Sequence, residues 1–189
     1  MALSLVDLLR DAGHYHGSRP ALSLGGAGTL SYSDLDRASL LVAETLRSFG
    51  VVKGDRVGLV LPKNLHAVVG LWGVMRAGAV YVPIDPGSPT QRAALIAEDC
   101  RMAAILCSEE LAGAVEAIRE RVDLVSVQLD GGNGLFAGGL VLPPDRGPGR
   151  EIQSLPTVNV RDLAYILYTS GSTGVPKGVM VSQDRKSVV

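Results

Sequence analysis

The alternation of short apolar runs with amphipathic segments constrains the fold of this chain more than any other feature. Each run is short enough to cross a sheet once, and each lies beside segments whose apolar residues recur at helical spacing. The runs that predict strands are Arg56–Leu61, Ala79–Ile84, Met102–Cys107, Val122–Leu129 and Leu163–Tyr168. Strands separated by helices favour parallel pairing, so we predict an α/β fold with a mostly parallel sheet that helices cover on both faces.

Polar residues and glycines at the segment boundaries predict where the helices begin and end. Ser33 is expected to be the N-cap of a helix that Gly50 ends. Before a later helix, Ser88 and Gln91 have the spacing of a capping box, and Pro89 lies at the first helical position.

The remaining elements follow from the same rules. They are a short first helix at Leu3–Leu9, a hairpin of Ala21–Leu24 with Thr29–Tyr32, a helix from Asn64 to Ala77 closed by Gly78, and a helix opened by Ser108. The stretch from Asp130 to about Asn159 is rich in Gly and Pro. It predicts a long surface connection with one short strand at Gly139–Leu142.

The composition argues against several functional classes. With 189 residues, 47% hydrophobic residues and a net charge of −1, the chain is typical of a globular protein without a nucleic-acid partner. Its start lacks a basic signal-peptide segment, and no apolar run is long enough to span a membrane. Cys100 and Cys107 are interpreted as reduced core thiols, so we expect a cytoplasmic protein. His14 and His16 are interpreted as exposed residues rather than metal ligands.

The segment Thr169–Gly178 directly follows the last predicted strand and is the candidate functional motif. It contains four hydroxyl residues, three glycines, one proline and one lysine. Glycines let several backbone N–H groups point into one concavity, where a larger side chain would block a phosphate. The hydroxyls add donors, and Lys177 adds a positive charge suited to phosphate oxygens. The segment therefore predicts a binding site for a polyanion.

Two other interpretations of this segment are disfavoured. A Walker-type loop needs its lysine directly after the second conserved glycine and a Ser or Thr after that lysine. Counted from Gly171, Pro176 precedes the lysine where the second glycine belongs, and Gly178 follows it where the Ser or Thr belongs. A flexible linker is disfavoured because linkers rarely follow a buried strand and end in Pro-Lys-Gly.

Tyr168–Gly178 resembles the phosphate-loop signature of the adenylate-forming superfamily. This superfamily includes acyl-CoA synthetases, luciferases and the amino-acid adenylation domains of nonribosomal peptide synthetases. Gly54–Val57 and Met75–Pro86 resemble an earlier pattern of the same family, and Leu30–Leu35 resembles a still earlier one. The resemblance therefore covers about Leu30 to Ser182, which is nearly the whole chain.

The resemblance implies that residues 1–183 form the N-terminal portion of an AMP-binding adenylation domain. Such a domain uses ATP and Mg²⁺ to activate a carboxylic acid as an acyl-adenylate, releases pyrophosphate, and passes the acyl group to the thiol of phosphopantetheine or CoA. The implied phosphate-binding residues are Thr169, Ser170, Gly171, Ser172, Thr173, Gly174 and Lys177. None of them is assigned as a catalytic base, since an ionised carboxylate needs none. The implied partners are ATP, the acid substrate and a carrier-protein domain.

The form of Tyr81–Pro86 is closer to members that activate amino acids, because CoA ligases more often have Asn at the position of Asp85. Two alternatives stay open. One is an acyl- or aryl-CoA ligase, and the other is a non-catalytic, adenylation-like binding or scaffold protein.

The last residues depart from the family pattern. Gln183 stands where relatives commonly have His, and Asp184–Val189 does not have the pattern of the amphipathic helix expected next. We interpret residues 184–189 as a non-native tail and residues 1–183 as a truncated domain. The acyl pocket and the ribose-binding Asp of the family are expected beyond residue 183. We therefore expect no pyrophosphate exchange from this chain alone, and a sheet edge prone to aggregation.

Overall fold

The computed structural model describes residues 3–25, 28–129, 154–170 and 176–184. The helices in these ranges are α1 (Leu5–His16), α2 (Tyr32–Ser48), α3 (Leu65–Arg76), α4 (Thr90–Asp99) and α5 (Ala112–Arg119), with a 3-10 turn at Glu109–Leu111. The strands are β1 (Pro20–Leu24), β2 (Gly28–Ser31), β3 (Arg56–Val60), β4 (Val80–Pro83), β5 (Met102–Cys107), β6 (Val125–Gln128), β7 (Leu163–Ser170) and β8 (Pro176–Ser182). None of the described helices is both long and apolar enough to cross a membrane.

The main sheet has six strands in the order β6-β5-β3-β4-β7-β8. Neighbours from β6 to β7 pair in parallel, and only β7 and β8 pair antiparallel. The strands β1 and β2 form a separate antiparallel hairpin, as predicted. The α/β fold with a mostly parallel sheet is therefore confirmed. β8 was not predicted from the sequence.

Helices cover both faces of this sheet, as the sequence predicts. One core cluster joins the sheet to α1, α2 and α3, and a second joins it to α4 and α5. The alternation along β5 separates the two clusters, since Ala104 and Leu106 belong to the first and Ile105 and Cys107 to the second. Both cysteines are buried and form no disulfide.

Capping boxes begin the first two helices, and one of them corrects the sequence prediction. Ser31, not Ser33, is the N-cap of α2, and the backbone N–H of Asp34 donates to the Ser31 hydroxyl oxygen over 3.2 Å. The Asp34 carboxylate in turn accepts a hydrogen bond from the Ser31 backbone N–H. Two backbone N–H groups at the helix start, which have no partner within the helix, are thereby hydrogen-bonded. Ser33 instead lies within the first turn. The hydrogen bond from the Ser31 hydroxyl holds the pKa of Asp34 below its usual value.

The predicted capping box of Ser88 and Gln91 is wrong. The helix α4 begins at Thr90 with Pro89 as its N-cap, and no side chain caps it. Asp85 organises the preceding turn: its side-chain oxygen accepts from Gly87 N at 2.9 Å, and its carbonyl accepts from Ser88 N at 2.9 Å. Because this turn uses Ser88, the helix starts after it.

Other boundaries also differ from the sequence predictions, most of them by one or two residues. The first helix continues to His16 instead of ending near Leu9, and Ser4 caps it. Ser108 precedes a 3-10 turn rather than opening α5 directly, and its side chain makes no capping bond. The strand β6 is shorter than predicted. The predicted strand at Gly139–Leu142 lies outside the described residues.

Candidate phosphate-binding site

The candidate motif begins at the carboxyl edge of the parallel sheet. The strand β7 is parallel to β4, with Tyr81 opposite Tyr165, and it carries Thr169 and Ser170 at its carboxyl end. The strands β3 and β5 end at the same edge, because they run parallel to β4. Ligands of open α/β sheets bind outside this edge.

The strand β8 runs antiparallel to β7 and places Lys177, near the end of the motif, beside the residues that begin it. In the register of this pair Thr169 lies opposite Lys177, and Ser170 lies opposite Pro176. Residues directly opposite in an antiparallel pair have side chains on the same face, a few ångströms apart. Both Thr169 and Lys177 are exposed, and Lys177 has no ion-pair partner among the described residues. An exposed cation therefore faces a hydroxyl at the end of the sheet.

The structure brings together the predicted site residues that it describes. These are Thr169, Ser170 and Lys177, which lie on the paired ends of β7 and β8. The other predicted ligands, Gly171, Ser172, Thr173 and Gly174, lie outside the described residues. The antiparallel return that pairs Lys177 with Thr169 was not expected. The short apolar run Val179–Val181 after Gly178 was the only signal for it.

Gly178 has a packing role that the sequence did not indicate. A Cβ atom built at this position would lie 2.8 Å from Ile166 Cγ2 and 3.1 Å from Cζ of Tyr168. Tyr168 lies directly opposite Gly178 in the register of β7 and β8. The ring of Tyr168 therefore occupies the space that a side chain at Gly178 would need.

The hydroxyl of Tyr168 donates a hydrogen bond to the Asp99 carboxylate at the end of α4. Burial raises the pKa of Tyr168, and the bond to Asp99 raises it further because ionisation would remove the donated proton. Tyr168 therefore stays a hydrogen-bond donor at neutral pH. Sequence reasoning missed Asp99, since it has the pattern of an ordinary solvated helix end.

Tyr81 and Tyr165 stack across the pairing of β4 and β7. Their ring centroids are 5.1 Å apart, and the ring planes differ by 29°. Burial raises the pKa of Tyr81 to about 12, with a smaller contribution from Tyr165. The stack lies on the face of the sheet that packs against α3, because Tyr81 contacts that core cluster.

The start of β7 is held by Lys53. Its Nζ lies 2.6 Å from Asp162 Oδ2 and 2.9 Å from the Thr157 carbonyl oxygen. The same carboxylate oxygen accepts from Asn159 N at 2.7 Å. The segment before β7 is thereby tied to the turn before β3.

A cavity of about 410 Å³ opens beside β7 and is lined in part by Asp85, Arg92 and Tyr168.

His14 and His16 are exposed in the last turn of α1, as predicted. Within the described ranges, no group of three or more His, Cys, Asp or Glu side chains is placed to hold a metal ion.

Comparison with known proteins adds a family assignment to this geometry. A family model described as "AMP-binding enzyme" matches residues 9–188. Nonribosomal peptide synthetase 8 of Aspergillus fumigatus is 35% identical over 183 residues, which are 94% of this chain and 2% of that protein.

Solved structures agree with the fold. The complex of VinN with 3-methylaspartate has a TM-score of 0.76 and 28% identity, and the match covers 97% of this chain and 48% of that one. ATP-bound MatB from Rhodopseudomonas palustris has a TM-score of 0.75 and 28% identity, over 97% of this chain and 35% of that one. The chain thus spans less than half of each of these proteins.

Proposed function

Because this chain belongs to the AMP-binding enzyme family, we propose that it is the phosphate-binding part of an enzyme that activates a carboxylic acid with ATP. Residues 1–183 would form the N-terminal portion of the adenylation domain. The reaction would join the carboxylate to the α-phosphate of ATP, giving an acyl-adenylate and pyrophosphate. Support for ATP as the nucleotide comes from the similar structure of MatB, which is ATP-bound.

One observation carries this proposal: Lys177 lies opposite Thr169 at the carboxyl edge of the sheet. In the proposed site, Thr169, Ser170, Ser172 and Thr173 donate through hydroxyls, Gly171 and Gly174 through backbone N–H groups, and Lys177 supplies charge. Donors that are fixed before the reaction stabilise the negative charge that develops on the leaving pyrophosphate. Mg²⁺ would neutralise part of the triphosphate charge, and we assign it no ligand in residues 1–183.

We propose an amino acid as the acid that is activated. Three observations support this choice. The Aspergillus relative is a nonribosomal peptide synthetase, the VinN structure holds 3-methylaspartate, and Asp85 follows β4 in this chain. In such an enzyme the acceptor of the acyl group would be the phosphopantetheine thiol of a carrier domain.

The proposed phosphate site is tested by titrating the ¹⁵N-labelled 189-residue chain with inorganic tripolyphosphate. We expect the backbone amides of Thr169 and Lys177 to shift, and Lys177→Ala to weaken binding about tenfold or more, since a hydrogen bond from a charged donor is lost.

The matched control is Lys63→Ala. Lys63 is exposed just beyond the end of β3, so its loss removes the same charge from the same edge of the sheet. We expect a clearly smaller effect. Equal weakening by both variants, or unchanged amides at Thr169 and Lys177, would contradict a specific phosphate site.

A further inference from the structure

The contact between Tyr168 and Asp99 joins α4 to the strand that carries the motif. Tyr168 immediately precedes Thr169, and Asp99 is the last residue of α4. Their side chains share one hydrogen bond, from the Tyr168 hydroxyl to Asp99 Oδ2. The end of a helix is therefore attached to the residue before the proposed phosphate ligands.

The ring of Tyr168 is also held against the opposite strand. It lies over Gly178, where a Cβ atom would approach within 3.1 Å of Cζ. Side chains alternate along β7, so Tyr168 faces α4 while Thr169 lies on the other face of the sheet. The pair of Tyr168 and Gly178 is next in register to the pair of Thr169 and Lys177. The ring therefore lies directly beside the pair that carries two of the proposed phosphate ligands.

The negative charge of Asp99 allows a positioning role to be distinguished from a simple effect of charge on anion binding. Asp99 is exposed, and it lines one cavity of about 370 Å³ together with Glu98 and Pro176. Carboxylates this close to the start of β8 repel a bound polyphosphate. If charge alone mattered, removal of Asp99 would therefore strengthen anion binding. If Asp99 instead positions the site, its removal should weaken anion binding.

We propose that Asp99 is a positioning residue of the phosphate site and acts through Tyr168. By fixing the Tyr168 ring over Gly178, it keeps Thr169 and Lys177 opposite each other. This inference rests on the proposed function, because its consequence is tighter binding of the phosphates of ATP.

The test measures tripolyphosphate binding to the 189-residue chain by NMR for wild type and five variants, one of which is a control. We expect Asp99→Ala and Tyr168→Phe each to weaken binding roughly fivefold, as the loss of one hydrogen bond predicts. Asp99→Asn keeps an oxygen that accepts from Tyr168, so it should bind at least as tightly as wild type. The double variant Asp99→Ala/Tyr168→Phe should bind no more weakly than either single variant.

The control is Glu98→Ala, which removes the same charge from the same cavity. Glu98 pairs with Arg121 on the surface, with 2.8 Å between the charged atoms, and such a pair contributes little to stability. We expect binding by this variant to be unchanged or slightly tighter. Thermal unfolding of each variant is recorded alongside. If Asp99→Ala does not fold, Tyr168→Phe and Asp99→Asn decide the question.

The outcomes separate this inference from the proposed function. Binding by Asp99→Ala as tight as wild type, or binding by Asp99→Asn as weak as by Asp99→Ala, overturns the positioning role. A wild-type chain that does not bind tripolyphosphate overturns the proposed function. In that case the ligand-free amide shifts of Thr169 and Lys177 still decide on positioning: a change in Asp99→Ala supports it, and no change overturns it.

Discussion

At the scale of single residues, the close approach of Tyr168 to Gly178 explains the last glycine of the motif. The space for a Cβ atom is already filled by Ile166 and the Tyr168 ring. The glycine therefore allows two strands to pack closely.

Gly178→Ala is expected to destabilise the chain by about 1–3 kcal/mol, because the new methyl group overpacks the contact with Ile166 and Tyr168. Denaturant unfolding measures this loss. The control is Gly113→Ala in α5, where a Cβ atom meets nothing within 4 Å. There we expect a gain of about 0.5–1 kcal/mol from helix propensity. Equal effects of the two variants would refute the steric reason.

Tyr81 provides a residue-scale prediction about pH. Its pKa in the folded chain is about 12, above the usual value of 10.0. The folded chain holds this proton more tightly than the unfolded chain. The contribution to stability is therefore complete below pH 10 and is lost as the pH rises toward 12.

The measurement compares unfolding free energies of wild type and Tyr81→Phe from pH 9 to pH 12. We expect the variant to lose less stability across this range, while tyrosinate absorbance reports the titration. Tyr15→Phe is the control, since Tyr15 is 73% exposed. A variant that loses as much stability as wild type would show that Tyr81 is not the group responsible.

At the scale of elements, the start of α2 tests the corrected N-cap. Ser31→Ala removes the hydroxyl that accepts from Asp34 N, and we expect a loss of about 1 kcal/mol. Ser33→Ala lies within the first turn and should cost clearly less. Thermal unfolding of the two variants compares them directly. A larger loss of stability in Ser33→Ala than in Ser31→Ala would indicate that Ser33, as the sequence predicted, is the N-cap.

Elements were predictable where one local pattern decided them. The strand β5 occupies Met102–Cys107, the range that its apolar run predicts. The start of α4 was not predictable, because the turn made by Asp85 uses Ser88 before the helix begins. The sequence predicted the site only as a consecutive run of glycines, hydroxyl residues and one lysine. The pairing of Thr169 with Lys177 depends on β8, and the contact to Asp99 depends on where α4 packs. Such long-range contacts are not encoded in local spacing.

At the scale of the whole molecule, the sheet is well covered at β3, β4 and β5 and more open at β8. Leu167, Val179 and Met180 on β7 and β8 are each more than a third exposed, at 43%, 38% and 38%. Edge strands with exposed apolar side chains promote association between chains. The expected aggregation of this chain remains a prediction, as does the absence of pyrophosphate exchange from this chain alone.

The central claim is that the end of β7 and the start of β8 hold the phosphates of ATP. An acyl-phosphate derivative of ATP, which acylates lysines beside its phosphates, tests this most directly when mass spectrometry locates the modified residues. Our account predicts selective acylation of Lys177, suppressed by excess tripolyphosphate, with Lys53 and Lys63 modified far less. Equal modification of all three lysines, or labelling of Lys177 that tripolyphosphate does not suppress, would contradict it.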